Sequence, residues 1–96
     1  MAILVHYRRQ GMTKEQYFEA MRLLQEHQTN RDEQVVLVTY GDPNDVELFV
    51  VWNTREAWER FLREDLPSAA GPAGIDPDNF DVYDVHDVYQ PQLAKH

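Results

Sequence analysis

Apolar positions along this chain alternate, then run together, then recur at helical spacing, and each change of period marks an element. Residues 2–8 read as a strand, with Ile3, Val5 and Tyr7 on one face and Leu4, His6 and Arg8 on the other. Gln10-Gly11-Met12 predicts a turn, and Thr13 with Gln16 predicts a capping box that opens a helix. Along that helix Tyr17, Ala20, Met21, Leu24 and His27 form one stripe, with Glu15, Glu19, Arg22 and Glu26 outside it. Polar residues from Thr29 to Glu33 end it, and Gln34 to Tyr40 predicts a second, buried strand. Gly41 to Asp45 is dense in turn formers, which predicts a hairpin with a five-residue loop. Leu48 to Trp52 is a continuous β-branched and aromatic run, as in a strand covered on both faces. Asn53 with Glu56 predicts the cap of a second helix carrying Trp58, Phe61 and Leu62. Leu66 to Asn79 holds three prolines and two glycines and predicts a long loop, with room for one helical turn near Ser68–Ala70. Phe80 to Tyr89 predicts the last strand.

The order βαββαβ, with right-handed crossovers, predicts an α+β ferredoxin-like sandwich: a four-stranded antiparallel sheet with both helices on one face. Residues 1–90 would form this domain, and 91–96 a polar tail set off by Pro91. The middle strands are apolar on both sides, Val35 and Leu37 against Val36 and Val38, and Leu48 and Val50 against Phe49 and Val51. Two helices cover one face. A monomer would leave an apolar patch larger than the few hundred Å² usually tolerated, so a two-fold homodimer through the open sheet face is expected.

Composition narrows the function classes. The 96 residues amount to one small domain, which buries about 60–65 % of its unfolded surface, so a second source of burial is welcome. A net charge of −8, with lysines and arginines scattered, argues against a nucleic-acid partner. There is no long apolar run and no basic leader, so neither a membrane span nor a signal peptide is expected. The absence of cysteine excludes disulfides and thiolate metal sites and suits a cytoplasmic protein.

Several stretches together resemble the dimeric α/β-barrel superfamily, especially its antibiotic-biosynthesis-monooxygenase-like branch. They are Ile3-Leu-Val-His-Tyr7, the Gly11-Met-Thr13 entry to a helix containing Tyr17, the Val51-Trp-Asn-Thr-Arg-Glu-Ala-Trp58…Phe61 junction, and Val85-His-Asp-Val-Tyr89. The resemblance covers about residues 2 to 89 and implies two ferredoxin-like subunits packed sheet against sheet. It also implies a ligand pocket between the sheet and helices of each subunit. Members include cofactor-independent oxygenases of aromatic polyketides, haem-degrading oxygenases, lactone isomerases and aromatic cyclases. The haem-degrading members use an Asn on strand one, with a Trp and a His downstream. Here strand one carries His6, and no histidine lies between Val51 and Phe80, which argues against haem degradation.

Candidate chemistry centres on two histidines. His6 stands in a buried-looking strand, where an imidazole titrating near neutral pH would serve as a general base; the alternative is a hydrogen-bonded core or interface histidine. His86 is two residues from Asp84, so on a strand the carboxylate would orient the ring; the alternative is a charged edge strand that discourages aggregation. The two histidines would lie toward opposite ends of their ladder, so no shared metal is expected, and no cofactor. His27 reads as a structural residue near a helix C-terminus. Tyr7, Trp52 and Tyr83 are candidate substrate contacts together with Asp84, Trp52 as a pocket wall. Arg55, Arg60 and Arg63 alternate with Glu56, Glu59 and Glu64 as a solvated face. There is no G-x-S-x-G, phosphate loop or H-E-x-x-H.

The sequence thus predicts a small enzyme resembling cofactor-independent monooxygenases, cyclases or isomerases, acting on an aromatic or conjugated substrate, with His6 or His86 removing a proton. The alternative is a non-catalytic homodimer that binds a small apolar or aromatic ligand. The two differ in whether a titratable group and a hydrogen-bond donor share one cavity.

Overall fold

The computed structural model describes residues 1–27 and 31–89. Thr29, Asn30 and the tail 91–96 lie outside the described residues. The strands are β1 (Ile3–Tyr7), β2 (Gln34–Asp42), β3 (Asp45–Trp52) and β4 (Phe80–Asp84), with helix α1 (Lys14–Glu26) between β1 and β2. Helices α2 (Arg55–Arg60) and α3 (Leu66–Ala73) follow β3 and are joined by a π-turn at Phe61–Asp65. The strands form one antiparallel sheet in the order β2-β3-β1-β4, the ferredoxin-like α+β arrangement the pattern predicted.

Local chemistry accounts for each boundary. At the start of α1 the Gln16 N–H donates to Thr13 Oγ1 at 3.1 Å, and the Thr13 N–H donates to Gln16 Oε1 at 2.8 Å, closing the capping box. The second cap falls one residue later than predicted, because Asn53 donates its N–H to the Glu33 carbonyl while Thr54 Oγ1 accepts from the Ala57 N–H. The β2–β3 hairpin is tighter than predicted, since pairing extends to Asp42 opposite Asp45 and leaves Pro43-Asn44 as the turn.

The predicted loop after Leu66 is largely α3. Pro67 occupies the first turn of that helix, where its missing N–H would have no intrahelical partner in any case. In a continuous α-helix its ring would meet the Arg63 carbonyl. The π-turn, in which the Leu66 N–H reaches back to the Phe61 carbonyl, widens the helix at that point. Ala69, Ala70 and Ala73 are buried, and their small side chains let α3 lie close against α1. Gly74 ends the helix in the left-handed region at φ +75°, a conformation a β-carbon would penalise.

The register sorts the sheet into two faces. Toward the helices, Leu37, Val50, Val5 and Val82 form one cross-strand row and Thr39, Leu48, Tyr7 and Phe80 the next. Ile3, Val5, Leu24 and Trp52 are fully buried on this side. Away from the helices the rows are Val36, Val51, Leu4 and Tyr83, then Val38, Phe49, His6 and Asp81. Six of those eight residues are apolar or aromatic; Val51 is buried at 3 % exposure, whereas Leu4, Val36, Val38, Phe49 and Tyr83 are half-buried or exposed on the face away from the helices. The open face is therefore an apolar band crossing all four strands, with His6 and Asp81 at one end of it.

Candidate functional site

Two places concentrate chemistry, one on each face of the sheet. On the helix side a cavity of about 70 Å³ opens between α1, α3 and the sheet. Its wall is mostly aliphatic, with Leu24, Leu37 and Val50 typical of it, and Met12 and Met21 add adaptable side chains. The polar groups in the wall are few: Tyr7, Gln10, Tyr17, Arg31 and Gln34. The Tyr7 hydroxyl is buried and, among the described residues, has no hydrogen-bond partner within bonding geometry. Burial pushes its pKa up; the nearby Trp58 indole pulls partly back, and the charge of Asp78 adds to the rise. Tyr7 therefore stays a neutral phenol, a donor, through neutral pH. Arg31 is half-buried, and its guanidinium donates to the Met21 sulfur at 3.4 Å.

On the open face a polar chain crosses the strands. His6 Nε2 lies 2.5 Å from Glu47 Oε2, and the Tyr40 hydroxyl donates to the same oxygen at 3.0 Å. The other ring nitrogen of His6 faces Asp81 at 3.9 Å, and Asp81 in turn pairs with Arg8 Nε at 3.3 Å. Arg9 stands 3.9 Å from Glu47 Oε1. Hydrogen bonds from His6 and then Tyr40 hold the Glu47 carboxyl below the usual carboxylate range, while burial opposes them. The Tyr40 phenol is pushed up, first by desolvation and then by its bond to Glu47.

The lowered Glu47 value fixes a pH dependence. A carboxyl whose folded pKa lies below its unfolded one contributes stability above the unfolded value, and this is lost as pH falls through the folded one. Glu47→Gln is therefore expected to lower stability near neutral pH and to flatten the acid limb of the stability curve. In urea titrations at stepped pH, the wild-type advantage should be constant near neutrality and vanish below the carboxylate range. A gap that persists unchanged into strong acid would mean the bonds from His6 and Tyr40 do not depend on the charge of Glu47.

The residues singled out in the sequence fall in different places. Tyr7 lines the cavity, as a substrate contact would. Trp52 is 1 % exposed and packs on Phe61 with ring centres 5.1 Å apart, so it is core rather than wall. His6 projects onto the open face, opposite the cavity. His86 is exposed and lies beyond β4, which ends at Asp84, so the expected strand pairing of Asp84 with His86 does not form; Tyr83 and Asp84 are also exposed. His27 caps α1 and faces Asp65 at 3.4 Å. Among the described residues no ion pair joins Arg55, Arg60 or Arg63 to the glutamates beside them. No group of three His, Cys, Asp or Glu among these residues is placed to hold a metal ion, and no helix among them is long and apolar enough to cross a membrane.

Glu47 was legible, as an acid two residues before Phe49 and so on its face of the strand. Arg31 was not, because a charge in a polar connection carries no periodicity.

No protein-family model and no curated protein matches the sequence. Solved structures do. A conserved protein from Methanosarcina mazei Go1 superposes with a TM-score of 0.60 at 16 % identity, over 86 % of this chain and 91 % of that one. A putative antibiotic biosynthesis monooxygenase from Chloroflexus aurantiacus J-10-fl superposes with a TM-score of 0.56 at 14 % identity, over 93 % and 95 %. At such identities the likeness is one of fold. The chain has the ferredoxin-like α+β fold of these two proteins, the fold that its resemblance to the monooxygenase-like branch implied.

Proposed function

We propose that this chain is a homodimer on a monooxygenase-like scaffold that binds a small, largely apolar molecule between its sheet and its helices. The observation that carries this is the cavity, an aliphatic space with a buried, unpartnered phenol in its wall. A native core is normally packed to crystal-like density, and an unpartnered buried hydroxyl opposes folding, so both features favour an occupant. The second copy would cover the apolar band of the open face, where Val38, Tyr40 and Tyr83 are 37 %, 42 % and 55 % exposed.

Tyr7 favours a catalytic version of the same reading. A neutral phenol beside the ligand would donate to an enolate or phenolate oxygen and stabilise the anion that reacts with oxygen or rearranges. His6 could act as base only for a substrate on the open face, and there its bond to Glu47 fits an interface group equally well.

Native mass spectrometry of the protein purified gently from its own host tests the binding reading. The wild type is expected as a dimer carrying a small organic molecule. Ala20→Leu, which adds three carbons to a buried wall residue, should lose the molecule and keep the dimer. A wild type without any bound molecule, or equal loading of both proteins, would reduce the cavity to a packing defect.

A further inference from the structure

We propose that the cavity takes a small apolar anion: a short hydrocarbon body bearing one oxygen acid, a carboxylate or ionised enol, paired with Arg31. This deepens the binding reading and rests on it.

The protein carries 17 acidic side chains against nine basic ones, so an arginine here has abundant carboxylates to pair with. Arg8, Arg9 and Arg22 each have such a partner. Arg55, Arg60 and Arg63 are exposed and solvated. Arg31 differs from both groups. It is half-buried, it lines the cavity, and the ion pairs among the described residues do not include it. Among the described residues its side-chain partner is a thioether, a weak acceptor for a group with five N–H donors. A guanidinium in a partly apolar setting without an anion is costly, and an anion in the cavity mouth would supply charge-assisted hydrogen bonds.

The other polar side chains point the same way. The Tyr7 hydroxyl is a neutral donor with no acceptor, and the Gln34 amide lines the wall close in sequence to Arg31. The wall therefore offers a cation and donors and, among the described residues, contains no carboxylate to repel an acid. Size sets the body. An engineered dry cavity of about 150 Å³ holds a benzene ring, so about half that volume suits a short aliphatic chain.

A matched pair of probes separates this proposal from the reading beneath it. Pentanoate and 1-pentanol are titrated at neutral pH while the methyl resonances of Leu24, Leu37 and Val50 are followed by NMR. Both are expected to shift these methyls, with pentanoate binding at least about ten-fold tighter, the size of a net charge-assisted bond. Arg31→Gln should erase the preference and leave pentanol binding unchanged. Should the variant lose both ligands, wild-type salt dependence decides, because only pentanoate binding should weaken with added salt. Equal wild-type affinities, or a preference that survives in Arg31→Gln, would overturn the anion while keeping the cavity. If neither probe moves the methyls, the binding reading falls and takes the anion with it.

Discussion

Trp52→Ala is expected to remove a large share of the stability of this domain. A small domain of this length holds roughly 5–14 kcal/mol in all, and truncating a fully buried tryptophan costs about 3–5 kcal/mol. Trp52 is 1 % exposed at the end of β3, paired with Ile3 on β1 and packed on Phe61 of the π-turn. It therefore ties the sheet to the segment from which α3 departs. The wall of the cavity includes Phe61 and Leu66, one on each side of this junction, so collapse there would deform the binding space as well. Trp52→Phe provides the contrast. It keeps most of the volume and removes an indole N–H that is buried without a partner, so its cost should be far smaller. Urea titration followed by circular dichroism measures both. A loss under about 1 kcal/mol for Trp52→Ala would return Trp52 to the role its sequence position suggested, a wall residue that the fold tolerates losing.

The fold was legible where side-chain period and backbone demand agreed. Ile3, Val5 and Tyr7 alternate as a half-buried strand must, and Thr13 with Gln16 makes the cap that its spacing predicts. Both carry their signal within a few residues. The segment after Leu66 misled because Pro67, Gly71, Pro72 and Gly74 each read as breakers. In context Pro67 falls in a first turn, and Gly74 is the left-handed cap that a helix end favours. The last strand was overextended, because β4 pairs only with β1, and β1 begins at Ile3. Among the described residues the β4 ladder ends at Asp84, and the Val85 N–H donates to the Ala2 carbonyl.

The site was less legible because its residues depend on tertiary register. Which face His6 takes is decided by Val5 and Tyr7 turning toward the helices, and one residue of slip would have brought it into the cavity. Its partner Glu47 is not directly opposite but one row away, since His6 pairs with Phe49. Arg31 reaches the cavity from a connection whose path no local pattern fixes.

Phe49→Asp is expected to convert a dimer into a monomer without unfolding it. Phe49 lies in the middle of the open face, between Val38 on one side and His6 on the other, on the central strand pair. In a two-fold dimer the same residue appears twice, so one substitution places two carboxylates in the seam. Each would be desolvated on the face that already carries Glu47 and, beyond His6, Asp81, where His6 is engaged with Glu47. Burying a charge without a partner is expensive by several kcal/mol, whereas in the monomer the same carboxylate stays hydrated on a half-open surface. The apparent dissociation constant should therefore rise by at least about a hundred-fold, with the circular dichroism spectrum unchanged. Phe18→Asp serves as control. Phe18 is also an exposed aromatic, 58 % accessible, but it stands on α1, on the other side of the molecule, and its loss should leave the dimer intact. Sedimentation velocity across a concentration series distinguishes the outcomes. A monomeric wild type at tens of micromolar would remove the dimer, and dissociation by Phe18→Asp instead of Phe49→Asp would move the interface to the helices. The apolar band is the reason to expect neither, because Leu4, Val36, Val38, Phe49 and Tyr83, half-buried or exposed in two cross-strand rows, form a surface that water penalises and a second copy of the same rows would satisfy.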